Sequence, residues 1–174
     1  KLSKLGTAVF IMHGNRDLLM QKKLTSACGA SLLADPTLLD LYGTPTLLTH
    51  GDLLCTDDVA YQTYRKQVHN AVWQQKFLSQ PLMQRKAFIM QLRARSESEK
   101  KTKSSEIMDV NADAVAEMLR QYHYPRLIHG HTHRLNLHNH IVDGHQCERW
   151  VLGDWNTTGN ALRCDALGCD REHF

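Results

Sequence analysis

Residues 126–135, RLIHGHTHRL, decide how the rest of the chain is interpreted. A short apolar run is followed by histidines at alternate positions, His129, His131 and His133. This pattern is typical either of a polar loop after a buried strand or of a metal site. Side chains two positions apart in an extended segment point the same way. We therefore expect His131 and His133 to bind one metal or two adjacent metals.

Two further stretches share this pattern, FIMHGNRD (10–17) and LLTHGD (47–52). In each, an apolar run is followed by a glycine, which lets the chain turn tightly, and by metal-capable side chains. Loops at the carboxyl ends of strands are where open α/β sheets carry their sites. Each stretch alone is compatible with an ordinary turn, but the three together predict a metal site. The other histidines lack this context and are interpreted as surface or loop residues: His69, His123, His138, His140, His145 and His173.

The composition is that of a soluble globular protein. The chain has 174 residues, 42% hydrophobic and 22% charged, which suits one domain with a sizeable core. It contains no apolar run of the ~20 residues that span a bilayer and no signal-peptide pattern at its start. Five cysteines without CxxC spacing predict reduced thiols. We therefore expect a cytosolic or membrane-peripheral protein.

Positive charge is concentrated in residues 84–103, which hold seven Lys or Arg and two Glu, a net of +5. Since the whole chain is +3, the remainder is about −2, and an anionic partner is predicted at this segment. Its apolar and basic faces suit acyl chains or anionic lipid head groups. A solvated helix that packs its apolar side on the core is an equally open interpretation. Phe88 is the only aromatic residue here, so nucleic-acid binding is not predicted.

The pattern along the chain predicts an α/β layered fold whose C-terminal half is rich in sheet. The predicted elements are a strand at 7–15, a helix at 18–29, two strands within 37–52 around a turn at 43–45, a long helix capped by Thr56 or Asp57 and broken at Pro81, a second helix before a polar loop at 96–106, a helix at 111–123 capped by Asn111, a strand at 126–130 and a β-meander from Leu135.

The motifs resemble a known superfamily. GNRD, HGD and GHTHR are similar to the later signature blocks of the calcineurin-like, two-metal metallophosphoesterases. Three longer stretches narrow the resemblance to the branch that hydrolyses UDP-2,3-diacylglucosamine in lipid A biosynthesis, and the likeness runs through essentially all of the chain. These stretches are HGDLLCTDDVAYQTYRKQVHN (50–70), KSSEIMDVN (103–111) and VLGDWN (151–156).

The resemblance implies an α/β fold of the metallophosphoesterase type, a four-layer α/β/β/α sandwich with a helical cap at 57–110. It implies hydrolysis of a lipid-linked nucleotide to UMP and 2,3-diacylglucosamine 1-phosphate, with two Mn²⁺ ions in the complete enzyme. The implied location is peripheral, at the cytoplasmic face of the bacterial inner membrane, with 81–103 at the membrane surface. Neither a nucleic acid nor an obligate protein partner is expected.

The resemblance also assigns residues. Asn15, His50 and His131 match ligands of one metal, and His133 matches a ligand of the other. Arg16 matches the arginine beside the scissile phosphates and is the expected catalytic residue. Position 100 is often Asn in relatives but is Lys here. The expected substrate-binding set is Asn15, Arg16, Asp58, Ser96, Lys100, Lys103 and His131.

Two earlier blocks of the superfamily, Asp-x-His and Gly-Asp-x-x-[Glu/Asp], do not precede the strand at 7–15. We therefore expect residues 1–174 to form the C-terminal two-thirds or so of one metallophosphoesterase domain, lacking two strand–helix units of about 30 residues each. Those blocks carry the bridging aspartate, so this chain alone is expected to hold at most one metal weakly and to be inactive. The strand at 7–15 is expected to expose an unpaired edge.

Two other functions remain open. The chain could belong to another two-metal phosphoesterase, such as a dinucleoside polyphosphate hydrolase or a phosphodiesterase. The long helical insertion argues against this, because a small soluble nucleotide needs no amphipathic cap. The chain could also be a non-catalytic remnant module that binds a metal or a membrane surface.

Overall fold

The computed structural model describes residues 2–100, 107–156 and 158–174. The chain divides into two compact units, one formed by residues 1–54 and 110–174 and the other by residues 55–109. The second unit is close in its bounds to the segment 57–110, whose role as an inserted cap stays a prediction.

The helices and strands follow one another in mixed order. They are β1 (Phe10–Met12), α1 (Lys22–Ala27), β2 (Ser31–Leu33), β3 (Thr37–Leu41), β4 (Thr44–Thr49), α2 (Val59–Val68), α3 (Ala71–Leu78), α4 (Leu82–Lys100), α5 (Ala112–Gln121), β5 (Arg126–His129), β6 (Asn136–Val142), β7 (His145–Val151), β8 (Asn160–Asp165) and β9 (Gly168–His173).

The first unit is built on a five-stranded sheet of order β3-β4-β5-β7-β6. β4, β5 and β7 are parallel neighbours, while β3 and β6 are antiparallel strands at the edges. β1 and β2 form a separate parallel pair, and β8 and β9 a separate antiparallel hairpin. The predicted α/β class is therefore confirmed. The predicted meander instead consists of two hairpins in two different sheets.

Helix α5 covers one face of this sheet. Its N-terminus is capped as predicted, because the Asn111 side chain accepts a hydrogen bond from the Ala114 amide at 3.0 Å. Residues recurring every three or four positions are buried on one side of the helix. They form a core with residues from the sheet: Val115, Met118 and Leu119 with Leu47, Leu127, Val142 and Cys147.

The second unit contains more helices than predicted. The expected continuous helix up to Pro81 is wrong, since α2 ends at Val68 and a new helix begins after Asn70. The Asn70 side chain accepts a hydrogen bond from the Trp73 amide at 3.0 Å, which is the usual way a helix starts. The expected cap of α2 at Thr56 or Asp57 is also wrong: Asp58 accepts from the Tyr61 amide at 3.0 Å.

Helix α4 extends into the segment predicted as a polar loop. It begins just after Pro81, as expected, but runs to Lys100 rather than ending before residue 96. Glu and Lys in this stretch are good helix formers, so polarity alone did not indicate a loop. Residues 101–106 of the expected loop lie outside the described residues. None of the helices in the described ranges is both long enough and apolar enough to cross a membrane.

Candidate metal centre

The HGD segment (50–52) and the HGH segment (129–131) continue from the ends of β4 and β5 and lie side by side at the same edge of the sheet. β4 and β5 are parallel, and Thr49 lies in register with His129 at their last residues. The next residues continue the contact, because the Gly130 amide donates a hydrogen bond to the His50 carbonyl at 3.1 Å. The register of two neighbouring strands thus brings His50 and the histidines after β5 to one place.

His50 and His131 meet directly. His131 Nδ1 lies 3.2 Å from His50 Nε2, and the rings are at 74° to each other. Two nitrogen ligands about 2.1 Å from one cation lie about 3.0–3.4 Å apart in octahedral or tetrahedral geometry. The separation of the two imidazoles therefore fits neighbouring ligands of one divalent cation.

The surroundings keep His131 neutral. Burial, and then the neighbouring His50, lower the pKa of His131 from 6.5 to about 4, against an opposing effect of the Asp52 carboxylate. Metal ligation requires an unprotonated imidazole nitrogen. At neutral pH the His131 ring is thus in the form that a cation needs.

The HGN turn after β1 reaches the same histidine. The Asn15 backbone amide donates to His50 Nε2 at 3.3 Å. Gly14 allows this approach, because a Cβ at that position would lie 3.1 Å from Cε1 of His50. The turn is closed by Asp17, whose Oδ1 accepts from the Gly14 amide at 2.6 Å. All three predicted stretches therefore converge, although ligation by the Asn15 side chain stays a prediction.

The segment after β5 is not extended, so the expectation that His131 and His133 point the same way from an extended chain is wrong. Both have left-handed backbone conformations, with φ of 64° and 57°. His residues are enriched in this sparsely populated region, and such outliers cluster at functional sites. His133 is exposed, and its Nδ1 lies 3.5 Å from Oδ2 of Asp154. Its role as a ligand of a second metal stays a prediction.

The predicted substrate-contacting residues are divided between the two units. Arg16 is exposed on the turn that follows β1. Asp58 has a structural role as the cap of α2, and Ser96 is half-buried on α4. Lys100 is the last residue of α4. Lys103 lies outside the described residues. The substrate roles of all five remain predictions.

His, Cys, Asp and Glu side chains do not assemble into a metal-holding group of three or more anywhere in 2–100, 107–156 or 158–174. The converging donors are the two imidazoles of His50 and His131, with the HGN turn beside them. The two imidazoles would offer two neighbouring nitrogen donors to a divalent cation of the Mn-to-Zn range.

Asp35 supports the end of β4, a role that was not predicted from the sequence. Its Oδ1 accepts hydrogen bonds from the Thr49 hydroxyl at 2.6 Å and from the His50 amide at 3.2 Å. These contacts fix the backbone on which the His50 ring is mounted. The partners are 14 and 15 residues apart in sequence, so no local pattern marks them.

A buried network supports the end of β5. Arg149 places Nη1 3.1 Å from His129 Nε2, and its Nε donates to His140 Nε2 at 3.0 Å. Gly51, at φ 101°, leaves room for the His129 ring, since a Cβ there would lie 2.8 Å from Nδ1. The interpretation of His140 as a surface or loop residue is wrong. It is half-buried within β6, and burial followed by Arg149 lowers its pKa.

One signal in the sequence could have indicated this network. Cys147, Arg149 and Val151 alternate along one face of a strand, with a charged residue between two apolar ones. A charged residue on an inward face must be paired when it is buried.

The chain is similar to proteins from several bacteria that are named UDP-2,3-diacylglucosamine hydrolase. The relative from Aromatoleum aromaticum is 50% identical over 167 residues, which are 96% of this chain and 68% of that protein. The relative from Cellvibrio japonicus is 46% identical, over 97% of this chain and 70% of that protein. The relative from Xanthomonas axonopodis pv. citri is 45% identical, over 97% and 71%. No protein-family model matches the chain.

Proposed function

The chain belongs to the UDP-2,3-diacylglucosamine hydrolase family, and from that premise we propose that the carboxyl edge of β4 and β5 is where the diphosphate of UDP-2,3-diacylglucosamine is cleaved. The products are UMP and 2,3-diacylglucosamine 1-phosphate. The observation that carries the proposal is the 3.2 Å approach of His131 Nδ1 to His50 Nε2 at adjacent strand ends. Two imidazoles so placed are ready to share a divalent cation.

We assign the fold to the four-layer α/β/β/α sandwich of the metallophosphoesterases. Helix α5 covers one face of the five-stranded sheet. The β8–β9 hairpin contacts the sheet through Arg126 Nη1, 3.1 Å from Cys169 Sγ, and through the Arg171 guanidinium, 5.3 Å from the centre of the Trp150 ring. Because side chains alternate along a strand, Arg126 and Trp150 lie on the face opposite Leu127. Helix, sheet and hairpin thus support part of this layering.

The chemistry follows from the donors. Asn15, His50 and His131 would hold one Mn²⁺ and His133 would contribute to a second. When bound, the two cations supply a nucleophile from water near neutral pH and neutralise charge that grows on the diphosphate. Arg16, exposed beside the HGN turn, donates to phosphate oxygens through its planar guanidinium. Its task is to orient the diphosphate.

Helix α4 supports a role for the second unit with lipid. Phe88 packs toward Phe77 of α3, with ring centres 5.5 Å apart, so one side of the helix lies against its own unit. Met83 and Met90, seven residues apart on another side, are 76% and 71% exposed. The basic residues on the same helix can meet phosphate groups while the methionines meet acyl chains. These are Arg85, Lys86, Arg93 and Arg95.

The catalytic proposal is tested with the full-length gene product that contains this sequence. We expect UMP release from UDP-2,3-diacylglucosamine with Mn²⁺, loss of activity with a chelator and recovery when Mn²⁺ is restored. Turnover of dinucleoside polyphosphates but not of the lipid-linked nucleotide would contradict it. So would metal binding without turnover of either substrate, the behaviour of a non-catalytic module.

Lipid binding by α4 is tested with vesicles. Replacement of Met83 and Met90 by Ser should weaken binding of the protein to phosphatidylglycerol vesicles, while neither protein should bind phosphatidylcholine vesicles well. Val72→Ser is the matched control, because Val72 is 74% exposed in the neighbouring helix α3. Equal binding by the double variant and the unchanged protein would show that this side of α4 is only solvated.

A further inference from the structure

The β8–β9 hairpin brings two cysteines together away from the candidate metal centre. β8 ends at Asp165 and β9 begins at Gly168, so two residues connect the strands. Cys164 and Cys169 lie directly opposite each other in this antiparallel pair, and their Sγ atoms are 2.7 Å apart. Both are free thiols and both are partly exposed.

We propose that Cys164 and Cys169 form a reversible disulfide when the protein meets a thiol oxidant. A disulfide needs Cβ atoms about 3.5–4.5 Å apart and sulfur atoms about 2.05 Å apart. Directly opposite residues of an antiparallel pair already hold their Cβ atoms about 4.5–5.5 Å apart. The bond can therefore form by a small local shift, without opening the hairpin.

The two sulfur atoms differ in their surroundings. Arg126 Nη1 lies 3.1 Å from Cys169 Sγ, so the guanidinium is beside this sulfur. Burial, and then the hydrogen bond with Cys169, raise the pKa of Cys164 to about 12. These contacts make Cys169 the attacking sulfur and Cys164 the resolving thiol.

The exchange is balanced with glutathione disulfide as oxidant. The Cys169 thiolate attacks one sulfur of glutathione disulfide, which forms a mixed disulfide and releases one glutathione thiolate. Cys164 gives up its proton and attacks the Cys169 sulfur, which releases the second glutathione. The two protein thiols lose two electrons and two protons in total, and glutathione disulfide is reduced to two glutathione thiols.

The cross-link should leave the sheet intact. It joins two strands that are already paired, and Arg126 keeps its second partner, since its Nε lies 2.9 Å from Oε2 of Glu148. Disulfides that form and break in this way in reducing compartments are typically redox-sensing or catalytic rather than structural.

The experiment treats the folded full-length protein with glutathione disulfide, blocks remaining thiols with iodoacetamide and analyses the peptides by mass spectrometry. We expect the peptide that contains both cysteines to lose two hydrogens and to escape alkylation, and dithiothreitol to reverse the change. Cys28→Ser, which removes an exposed thiol outside the hairpin, should not alter this result.

Cys164→Ser should convert the product into a glutathione adduct on Cys169, because the resolving thiol is gone. Full alkylation of both cysteines after oxidation of the unchanged protein would overturn the proposal. Stable glutathione adducts on both, without the loss of two hydrogens, would overturn it as well. Neither outcome depends on the hydrolase activity, so this proposal and the proposed function can fail separately.

Discussion

The two ends of the parallel strands β4, β5 and β7 have different roles. Toward their amino ends, Leu47, Leu127 and Cys147 face α5 and form the apolar core. Two residues further along the same strands, Thr49, His129 and Arg149 occupy the next positions on that face. On β4 and β5 the face therefore changes from apolar to polar within about 7 Å, the rise of two strand residues, while on β7 the polar Arg149 lies between the apolar Cys147 and Val151.

The difference shows how the fold positions its site. Apolar burial is non-directional and stabilises in proportion to area. A buried polar group needs a partner at a definite distance, so the polar ends fix geometry instead. The core end holds the strands together, and the polar end orients the segments that carry His50 and His131.

The largest expected effect is at the polar end, on activity. Replacing His50 or His131 by Ala in the full-length protein should lower UMP release more than about 100-fold, since even outer partners of metal ligands are worth about 10–100-fold. The urea concentration at the midpoint of unfolding should change little, because both rings are only partly buried. His173→Ala, an exposed histidine at the end of β9, is the control. Normal turnover by either variant would remove the metal assignment.

The next effect is at the core end, on stability. Leu127 is 0% exposed, and Leu127→Ala should lower the free energy of unfolding by about 2–5 kcal/mol through lost burial and a cavity. Ile141 lies in β6 of the same sheet and is 76% exposed, so Ile141→Ala should change it by less than about 0.5 kcal/mol. Urea titration of both variants measures the contrast. A similar loss for both would mean that Leu127 is not part of the core.

Arg149→Met tests whether the polar end also supports the fold. The change leaves His129 and His140 without their guanidinium partner, and we expect a loss of about 1–3 kcal/mol in urea. Removal of a buried charge offsets part of this cost, so the effect should be smaller than that of Leu127→Ala. Mn²⁺ affinity should fall too, because His129 precedes the turn that carries the proposed ligand His131. Unchanged stability and affinity would show that the network holds nothing in place.

The core end was predictable from sequence and the polar end only in part. Helix α5 was indicated by the spacing of Val115, Met118 and Leu119 and by its Asn111 cap, which are local signals. The convergence of the segments after β4 and β5 also followed, because parallel neighbouring strands end at one edge, whereas β1 belongs to a separate strand pair.

The orientation of the side chains within the site could not be predicted from the sequence. Strand alternation was extended past His129, where the backbone in fact turns into left-handed conformations at His131 and His133. Arg149 lies 20 residues from His129, so its contact depends on strand register and not on a local pattern. The continuous helix predicted before Pro81 failed because the cap at Asn70 outweighed the apolar spacing.

The smallest expected effect is on stability, at a polar network near the amino ends of β5 and β7. This network is exposed, whereas the network around Arg149 is buried. Arg120 Nε lies 2.7 Å from Asp143 Oδ2, and the Tyr124 hydroxyl donates to the same oxygen at 3.0 Å. Hydrogen bonds from Arg120, and then from Tyr124, lower the pKa of Asp143 below 3.8. Exposed ion pairs contribute little. Asp143→Asn should therefore lower the unfolding midpoint only slightly at pH 7.

The lowered pKa of Asp143 determines how the effect of Asp143→Asn on stability changes with pH. The pKa of Asp143 is lower in the folded protein than its unfolded value of 3.8. The contribution of this carboxylate to the free energy of unfolding is therefore present above pH 3.8 and is lost as the pH falls through the folded pKa. The difference in unfolding midpoint between the unchanged protein and Asp143→Asn should therefore be constant near neutral pH and shrink below pH 3.8. Tyr124→Phe removes one of the donors and should give part of the effect. A difference at pH 7 as large as that of Arg149→Met would mean that burial is not what separates the two ends of the strands.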